Sequence, residues 1–184
     1  MLKINIISGS PRSISVTNRV ALMLEKELKK LNDVETSITD VREWNLPPIQ
    51  NVFTSADVTP DNYKALFEKM NTADAFILVS PEYNGGYSPA MKNLLDHFPK
   101  SVYQRKVIGI VTASPGAFGG MRAAQQMQQL ICALFGIVSP HMLVIPQVDK
   151  KLDAEGNHSD EILSKSIQNF INEYLWLAAS LKNK

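Results

Sequence analysis

Three loops rich in glycine, serine and proline each directly follow a short apolar run, and this repetition constrains the fold more than any other feature. The loops span residues 9–18, 80–89 and 113–120. The runs before them are rich in Ile and Val, as are strands buried on both faces of a parallel sheet. In such a sheet, ligands bind where the loops at the carboxyl ends of the strands converge. The three loops are therefore predicted to form three walls of one pocket.

Length and charge narrow the class of protein. The chain has 184 residues, which favours one domain over 1–184, and its 45% hydrophobic and 20% charged content is ordinary for a soluble protein. A formal net charge of +1 argues against a general nucleic-acid or membrane-surface binder, because nucleic acids and anionic membranes bind proteins with a strongly positive surface. Cys132 is the single cysteine, so no internal disulfide can form. No apolar stretch approaches the ~20 residues that span a bilayer. We expect a cytoplasmic protein.

Apolar runs and helical patterns alternate along the chain. The runs lie at residues 3–8, 34–39, 75–79, 106–112 and 137–145. This alternation predicts a doubly wound α/β fold, a three-layer sandwich whose five-stranded parallel sheet has helices on both faces. Pro140 lies in the last run, and proline within a sheet is largely confined to edge strands. The flavodoxin-like strand order 2-1-3-4-5 would place that strand at an edge, and we adopt it.

The helical patterns have clear periodicity and end signals. Val20, Leu24, Leu28 and Leu31 recur at helical spacing, and a second helix is predicted over about 61–71. Pro89 suits the first position of a third helix. A fourth helix is predicted from about Gly120 to Phe135, with Gly136 ending it. In the last predicted helix, apolar residues between Leu163 and Leu181 lie on one side.

The first loop has the ingredients of a phosphate site. The amides at the start of a helix and its dipole both favour an anion there. Arg12 can pair with a phosphate through two parallel hydrogen bonds. The hydroxyl and amide donors in the loop are Ser10, Ser13, Ser15, Thr17 and Asn18. The loop matches neither the Walker pattern nor the dinucleotide fingerprint. The alternative is a serine-rich helix cap beside a solvated arginine, with Ser15 or Thr17 as the cap.

The second and third loops suit a planar ring that forms hydrogen bonds. Their glycines allow the backbone to approach a ligand closely. Tyr83, Tyr87 and Phe118 supply flat apolar surface. The alternative is a pair of tight turns whose aromatic side chains complete the core.

Together the loops resemble those of the NADPH-dependent FMN reductases, flavodoxin-like enzymes that include quinone, azo-dye and chromate reductases. The family motif Gly-Ser-x-Arg-x-x-Ser-x-Asn is matched by residues 9–15, but Asn18 lies six residues after Arg12, where the pattern expects five. Residues 81–96 match Pro-Glu-Tyr-Asn, a glycine turn, a proline and Leu-Lys-Asn-x-x-Asp, with Met91 in place of leucine. Residues 114–120 match Ser-x-Gly-x-x-Gly-Gly.

The resemblance implies a non-covalently bound FMN. The residues implied for its phosphate are Ser10, Arg12, Ser15, Thr17 and Asn18, with either of the last two as the final donor. The residues implied for the edge of its ring are Pro81, Glu82, Tyr83 and Asn84 from the second loop and Ser114 and Gly116 from the third. Backbone amides near Tyr83 and Asn84 would donate toward O4 and N5 of the ring. No catalytic side chain is then required, since the cofactor carries the chemistry.

The resemblance also implies a reaction and an assembly. NADPH or NADH would deliver hydride to flavin N5, and a quinone, an azo compound, free flavin or a similar acceptor would take the electrons. A homodimer, or a dimer of such dimers, would have the helix that begins at Pro89 as its contact. Two other functions stay open: an electron carrier of the flavodoxin type, disfavoured because such carriers are usually strongly acidic, and a regulatory module without FMN. His97, His141 and His158 are far apart and show no ligand spacing, so no metal site is expected.

Overall fold

A computed structural model describes residues 1–182 as a parallel sheet with helices on both faces. The strands are β1 (Leu2–Ser8), β2 (Val34–Asp40), β3 (Ala75–Ser80), β4 (Val107–Ser114), β5 (Ile137–Val138) and β6 (Leu143–Pro146). The helices are α1 (Val16–Leu28), α2 (Val41–Trp44), α3 (Lys64–Thr72), α4 (Pro89–Asp96), α5 (Met121–Ala133), α6 (Val148–Lys151) and α7 (Glu161–Lys182). None of these helices is both long enough and apolar enough to cross a membrane.

The strand order explains why the three loops meet. The sheet runs β2-β1-β3-β4-β5, with β6 also pairing β4, and every pairing is parallel. Ser8 is level with Val79, and Ser80 is level with Thr112. The carboxyl ends of β1, β3 and β4 therefore lie side by side at one edge of the sheet. The predicted class and strand order are confirmed.

Side chains alternate between two apolar layers because successive residues of a strand point to opposite faces. Ile77 and Val79 of β3 pack with α1 and α7 on one face. Phe76 and Leu78 pack with α3, α4 and α5 on the other. Both faces are covered, which is why the strands read as continuous apolar runs rather than as alternating ones.

The fifth strand differs from the prediction. The run 137–145 is not one strand but two short ones, β5 and β6, separated at residues 139–142. Pro140 lies in this gap, since proline has no N–H for the ladder. Both segments still pair with β4, so the prediction of one strand next to β4 is correct in position but wrong in continuity.

Two helix ends also differ from the prediction. Helix α1 ends at Leu28, and Leu31 lies beyond it, 39% exposed. At the end of α5 the left-handed residue is Phe135 (φ 61°) rather than Gly136. A β-carbon on Gly136 would lie 2.7 Å from Cδ1 of Ile108, so this glycine is needed for close packing. The predicted start of α4 is confirmed, because Pro89 is its first residue and Ser88 caps it.

Candidate functional site

The three loops converge on one cleft of about 150 Å³. It is lined by Ser10, Arg12, Ile14, Ser15, Val16 and Thr17 from the first loop, Pro81, Glu82 and Tyr83 from the second, and Ala113, Ser114 and Pro115 from the third. The structure thus brings together eight of the eleven candidate residues. Asn18, Asn84 and Gly116 do not line it. No sequence motif marks the apolar lining residues Ile14, Val16, Ala113 and Pro115 as site candidates, although their neighbours in sequence are candidates.

The first loop begins α1 and keeps its positive group free. Ser15 is the N-cap, and its Oγ accepts a hydrogen bond from the Asn18 N–H at 3.1 Å. Ser10 is buried, with its Oγ 3.4 Å from the Tyr83 hydroxyl. The guanidinium of Arg12 lies over the Tyr83 ring, 4.9 Å from its centroid. Arg12 forms no salt bridge within residues 1–182, so its charge is not neutralised by a carboxylate.

Thr17 and Asn18 point to different places. Thr17 lines the cleft. The Asn18 amide, oriented so that all of its atoms find partners, donates to Asp40 Oδ2 and Ser8 Oγ and accepts from Arg42 Nη2, each at 3.1 Å. Asn18 is therefore occupied behind the loop, and of the two candidates for the last donor only Thr17 faces the cleft.

The second loop contains a two-residue hairpin turn. Tyr83 N–H donates to the Gly86 carbonyl at 2.8 Å, and Gly86 N–H donates back at 3.0 Å. Asn84 (φ 50°) and Gly85 (φ 83°) are both left-handed, which is the backbone that an Asn-Gly hairpin turn requires. Gln126 of α5 holds the turn by donating to the Gly85 carbonyl at 3.1 Å. The Tyr83 amide is therefore already hydrogen-bonded, whereas the Asn84 amide has no partner within residues 1–182.

The third loop is folded back on its own polar groups. The Ser114 hydroxyl accepts a hydrogen bond from Gly116 N–H at 3.0 Å, and the Gly116 carbonyl accepts one from Gln147 N–H at 3.2 Å. These contacts hold Gly116 away from the cleft while Ser114 stays at its wall. Phe118 projects from the loop and is 75% exposed.

Glu82 joins the second loop to the third. Its carboxylate accepts hydrogen bonds from the backbone N–H groups of Arg122 (3.0 Å) and Ala123 (3.3 Å), at the start of α5. Gly120, the N-cap residue, has no side chain to satisfy those amides. The negative carboxylate is also favoured by the helix dipole. Glu82 of the second loop is therefore a helix cap, and its side chain is largely buried beside the cleft.

The chemistry of the cleft suits an anion at one end. Among the described lining residues, Glu82 is the one acid, and its charge is directed to the α5 amides. Three hydroxyls and the Arg12 guanidinium lie around the first turn of α1, a 13-residue helix. These donors fit a phosphate group. Among residues 1–182, no group of three or more His, Cys, Asp or Glu side chains is placed to hold a metal ion.

Comparison with known proteins shows the family of this chain. A family model described as NADPH-dependent FMN reductase matches residues 2–150. The FMN-dependent NADPH-azoreductase of Staphylococcus aureus (strain COL) is 31% identical over 158 residues, which cover 83% of this chain and 81% of the relative.

Solved structures share the fold at lower sequence identity. FerB, a flavoenzyme NAD(P)H:(acceptor) oxidoreductase from Paracoccus denitrificans, has a TM-score of 0.80 at 19% identity and covers 98% of this chain and 99% of its own. A flavodoxin from the domain Archaea has a TM-score of 0.60 at 12% identity, with 99% of each chain covered. The fold is thus shared by a flavoenzyme oxidoreductase and a flavodoxin, and the family of this chain is shown by the family model. The chain belongs to the NADPH-dependent FMN reductase family and is an NAD(P)H-dependent oxidoreductase with FMN as its cofactor.

Proposed function

We propose that the cleft binds FMN with its phosphate at the start of α1. The proposed phosphate donors are Ser10, Arg12, Ser15 and Thr17, with Asn18 acting from behind the loop. The observation that carries this proposal is the cluster of hydroxyls around a helix N-terminus with one guanidinium that has no carboxylate partner among residues 1–182, while the acid of the cleft lining is bound to the α5 amides. A dianion there gains both hydrogen bonds and the favourable dipole.

The ring of the flavin is proposed to lie against the second and third loops. Pro81, Glu82 and Tyr83 form one wall, and Ser114 forms the other. Asn84 contributes its free amide, and Gly116 supports Ser114 from behind. When bound, FMN supplies the two-electron chemistry between a nicotinamide and an acceptor. The protein's part is to fix the ring, to keep one end of it dry and to place donors at its polar edge.

The acceptor is proposed to be a flat conjugated molecule: a quinone, an azo compound or free flavin. Ile14, which lines the cleft, is 83% exposed, and Phe118 of the third loop is 75% exposed. Planar apolar molecules stack on such surfaces. The azoreductase relative from Staphylococcus aureus supports the same class.

An anaerobic rapid-mixing experiment tests this function. Purified holoprotein mixed with NADPH is expected to lose its visible flavin band, and a quinone or azo dye added next is expected to restore it. NADH in place of NADPH, in a parallel run, measures the preference between the two nicotinamides. No bleaching by either would indicate an electron carrier, and bleaching with no recovery by any planar acceptor would overturn the acceptor class.

We further propose that a second copy of the chain completes each site. A cleft of about 150 Å³ is smaller than the roughly 300–1,000 Å³ of typical ligand pockets, so one chain leaves much of a flavin uncovered. Exposed Phe118 of the third loop and Met121 at the start of α5 are apolar surface that a second copy would cover, and α4, which follows the second loop, is the proposed contact. Light scattering after gel filtration is expected to give twice the 20.5 kDa chain mass. A monomer at assay concentration would contradict the dimer.

The whole chain, 1–184, is proposed to be one flavin-binding domain, although residues 183–184 lie outside the described part. The apolar layer on one face includes Leu2 near the start and Ala178 near the end, which supports a single unit. A reducing cytoplasm is proposed because Cys132 is the one cysteine and is exposed as a free thiol.

A further inference from the structure

The tip of the first loop is exposed to solvent. Residues Pro11 to Ile14 are all exposed. Behind the loop lies a second cavity of about 410 Å³, lined by Pro11, Ser13, Val41, Arg42, Asn45, Leu46, Ala90, Asn93 and Leu94. On the side of this cavity, a hydrogen bond from α2 connects the loop to the rest of the protein.

Arg42 crosses this gap from α2. Its Nη1 donates to the Ser13 carbonyl at 3.0 Å. Its Nε donates to Asp40 Oδ1 and Oδ2 at 2.9 and 3.0 Å, and Nη2 also contacts that carboxylate. The fork of the guanidinium thus binds the end of β2 with one side and the middle of the loop with the other. A lysine has no such fork and cannot hold both partners in the same way.

The same network reaches the base of α1. The Asn18 amide bonds to Asp40, Arg42 and Ser8, so the loop is tied both at Ser13 and at the helix that follows it. The hydrogen bond to Asp40 raises the pKa of the Arg42 guanidinium above its ordinary value, which keeps it charged. Asp40 is 4% exposed. Arg42 therefore also neutralises a buried negative charge directly behind the proposed phosphate site.

We propose that Arg42 is a positioning residue that sets the preference of the site for a phosphorylated flavin over riboflavin. It lies outside the cleft and acts through Ser13 and Asp40, by fixing the loop and by cancelling a charge that would repel a phosphate. The inference rests on the proposed function. It predicts an effect on ligands that carry the phosphate and none on the ring.

Arg42→Lys tests the inference without removing the positive charge. Apoprotein is titrated with FMN and with riboflavin, and the two dissociation constants are compared. The hydrogen bond to Ser13 is already formed before the ligand binds, so its loss acts by leaving the loop to be ordered on binding; we expect FMN to bind about tenfold more weakly, which is about 1.4 kcal/mol. Riboflavin affinity is expected to stay within about twofold of the unchanged protein, so the ratio of the two constants falls about tenfold.

Arg19→Lys is the matched control. Arg19 lies on α1 and its Nη1 donates to the Leu152 carbonyl at 2.9 Å, away from the cleft. This substitution is expected to leave the ratio unchanged. If Arg42→Lys does not fold, the double variant Asp40→Asn with Arg42→Gln removes both charges of the pair together, and its ratio is measured instead.

Comparing the Arg42 and Arg12 variants distinguishes a failure of this inference from a failure of the proposed function. An unchanged ratio in the Arg42 variant, or an equal loss for both ligands, overturns the positioning role. If Arg12→Ala also leaves the ratio unchanged, the phosphate assignment itself fails. If Arg12→Ala abolishes the preference while the Arg42 variant keeps it, the site stands and only the inference is wrong.

Discussion

Arg12→Ala is expected to weaken FMN binding about 100-fold, because it removes the one guanidinium of the cleft. Hydrogen bonds to charged groups contribute about 1.5–3 kcal/mol each, and 1.4 kcal/mol is a factor of ten in affinity. Arg12 is exposed and stacks on Tyr83 without a carboxylate partner, so little opposes its turning to a phosphate. Releasing it from the ring costs only about 0.5–1 kcal/mol at such an exposed position.

Fluorescence titration of the apoprotein with FMN measures this effect, and riboflavin is the internal control. Riboflavin binding is expected to change little, since that molecule has no phosphate. Arg12→Lys is expected to fall between the two, because it keeps the charge and loses the paired geometry. Equal weakening of FMN and riboflavin would mean that Arg12 supports the loop or the ring instead, and the phosphate would have to be assigned elsewhere.

The second large effect is expected for Gly119→Ala, which should lower the free energy of unfolding by about 3 kcal/mol. Gly119 has φ 60°, a conformation that costs an alanine about 1–2 kcal/mol. Its β-carbon would lie 2.7 Å from the Pro146 nitrogen and 2.8 Å from the Ile145 carbonyl carbon, both backbone atoms of β6. Overpacking of this kind costs about 1–3 kcal/mol more. The third loop must then lift from the end of the sheet.

Thermal unfolding of the apoprotein measures this loss, and a midpoint about 6–12 °C lower is expected for a chain of this size. Gly116→Ala, in the same loop, is the matched control for stability. A β-carbon there has Ser114 Oγ at 3.3 Å as its nearest atom, so the cost is expected to stay below about 1 kcal/mol. Similar losses in the two variants would show that the tight passage over β6 does not limit the stability of this loop.

The sequence predicts a structural feature well when that feature depends on residues that are close together along the chain. The first turn of α1, the Pro89 helix start and the Asn-Gly turn depend on residues within a few positions of one another, and the pattern of residues predicts or permits each of them. The sequence leaves the choice between Thr17 and Asn18 open because Asn18 lies one residue further from Arg12 than the family motif expects. Neighbouring helical residues point about 100° apart, and only the position of Asp40 shows which one is turned away.

The sequence does not indicate contacts between segments that are distant along the chain. Glu82 was a candidate ring neighbour, and its partners prove to be amides 40 residues further along the chain. Arg42 lies on the short helix α2, in a part of the sequence where no periodic pattern or motif marks it. Its role depends on Ser13, which is 29 residues away in sequence. No local rule connects such pairs.

The sequence alone determined the alternation of strands and helices and the three loops that follow apolar runs, since periodicity and turn residues act over short distances; the strand order came from the flavodoxin-like topology that this alternation fits. The tertiary structure decided which loop residues face the cleft, which carboxylates are already neutralised and where the last strand breaks. The physical reason is that hydrogen bonds and steric contacts between segments depend on distances in space, and a one-dimensional pattern does not contain those distances.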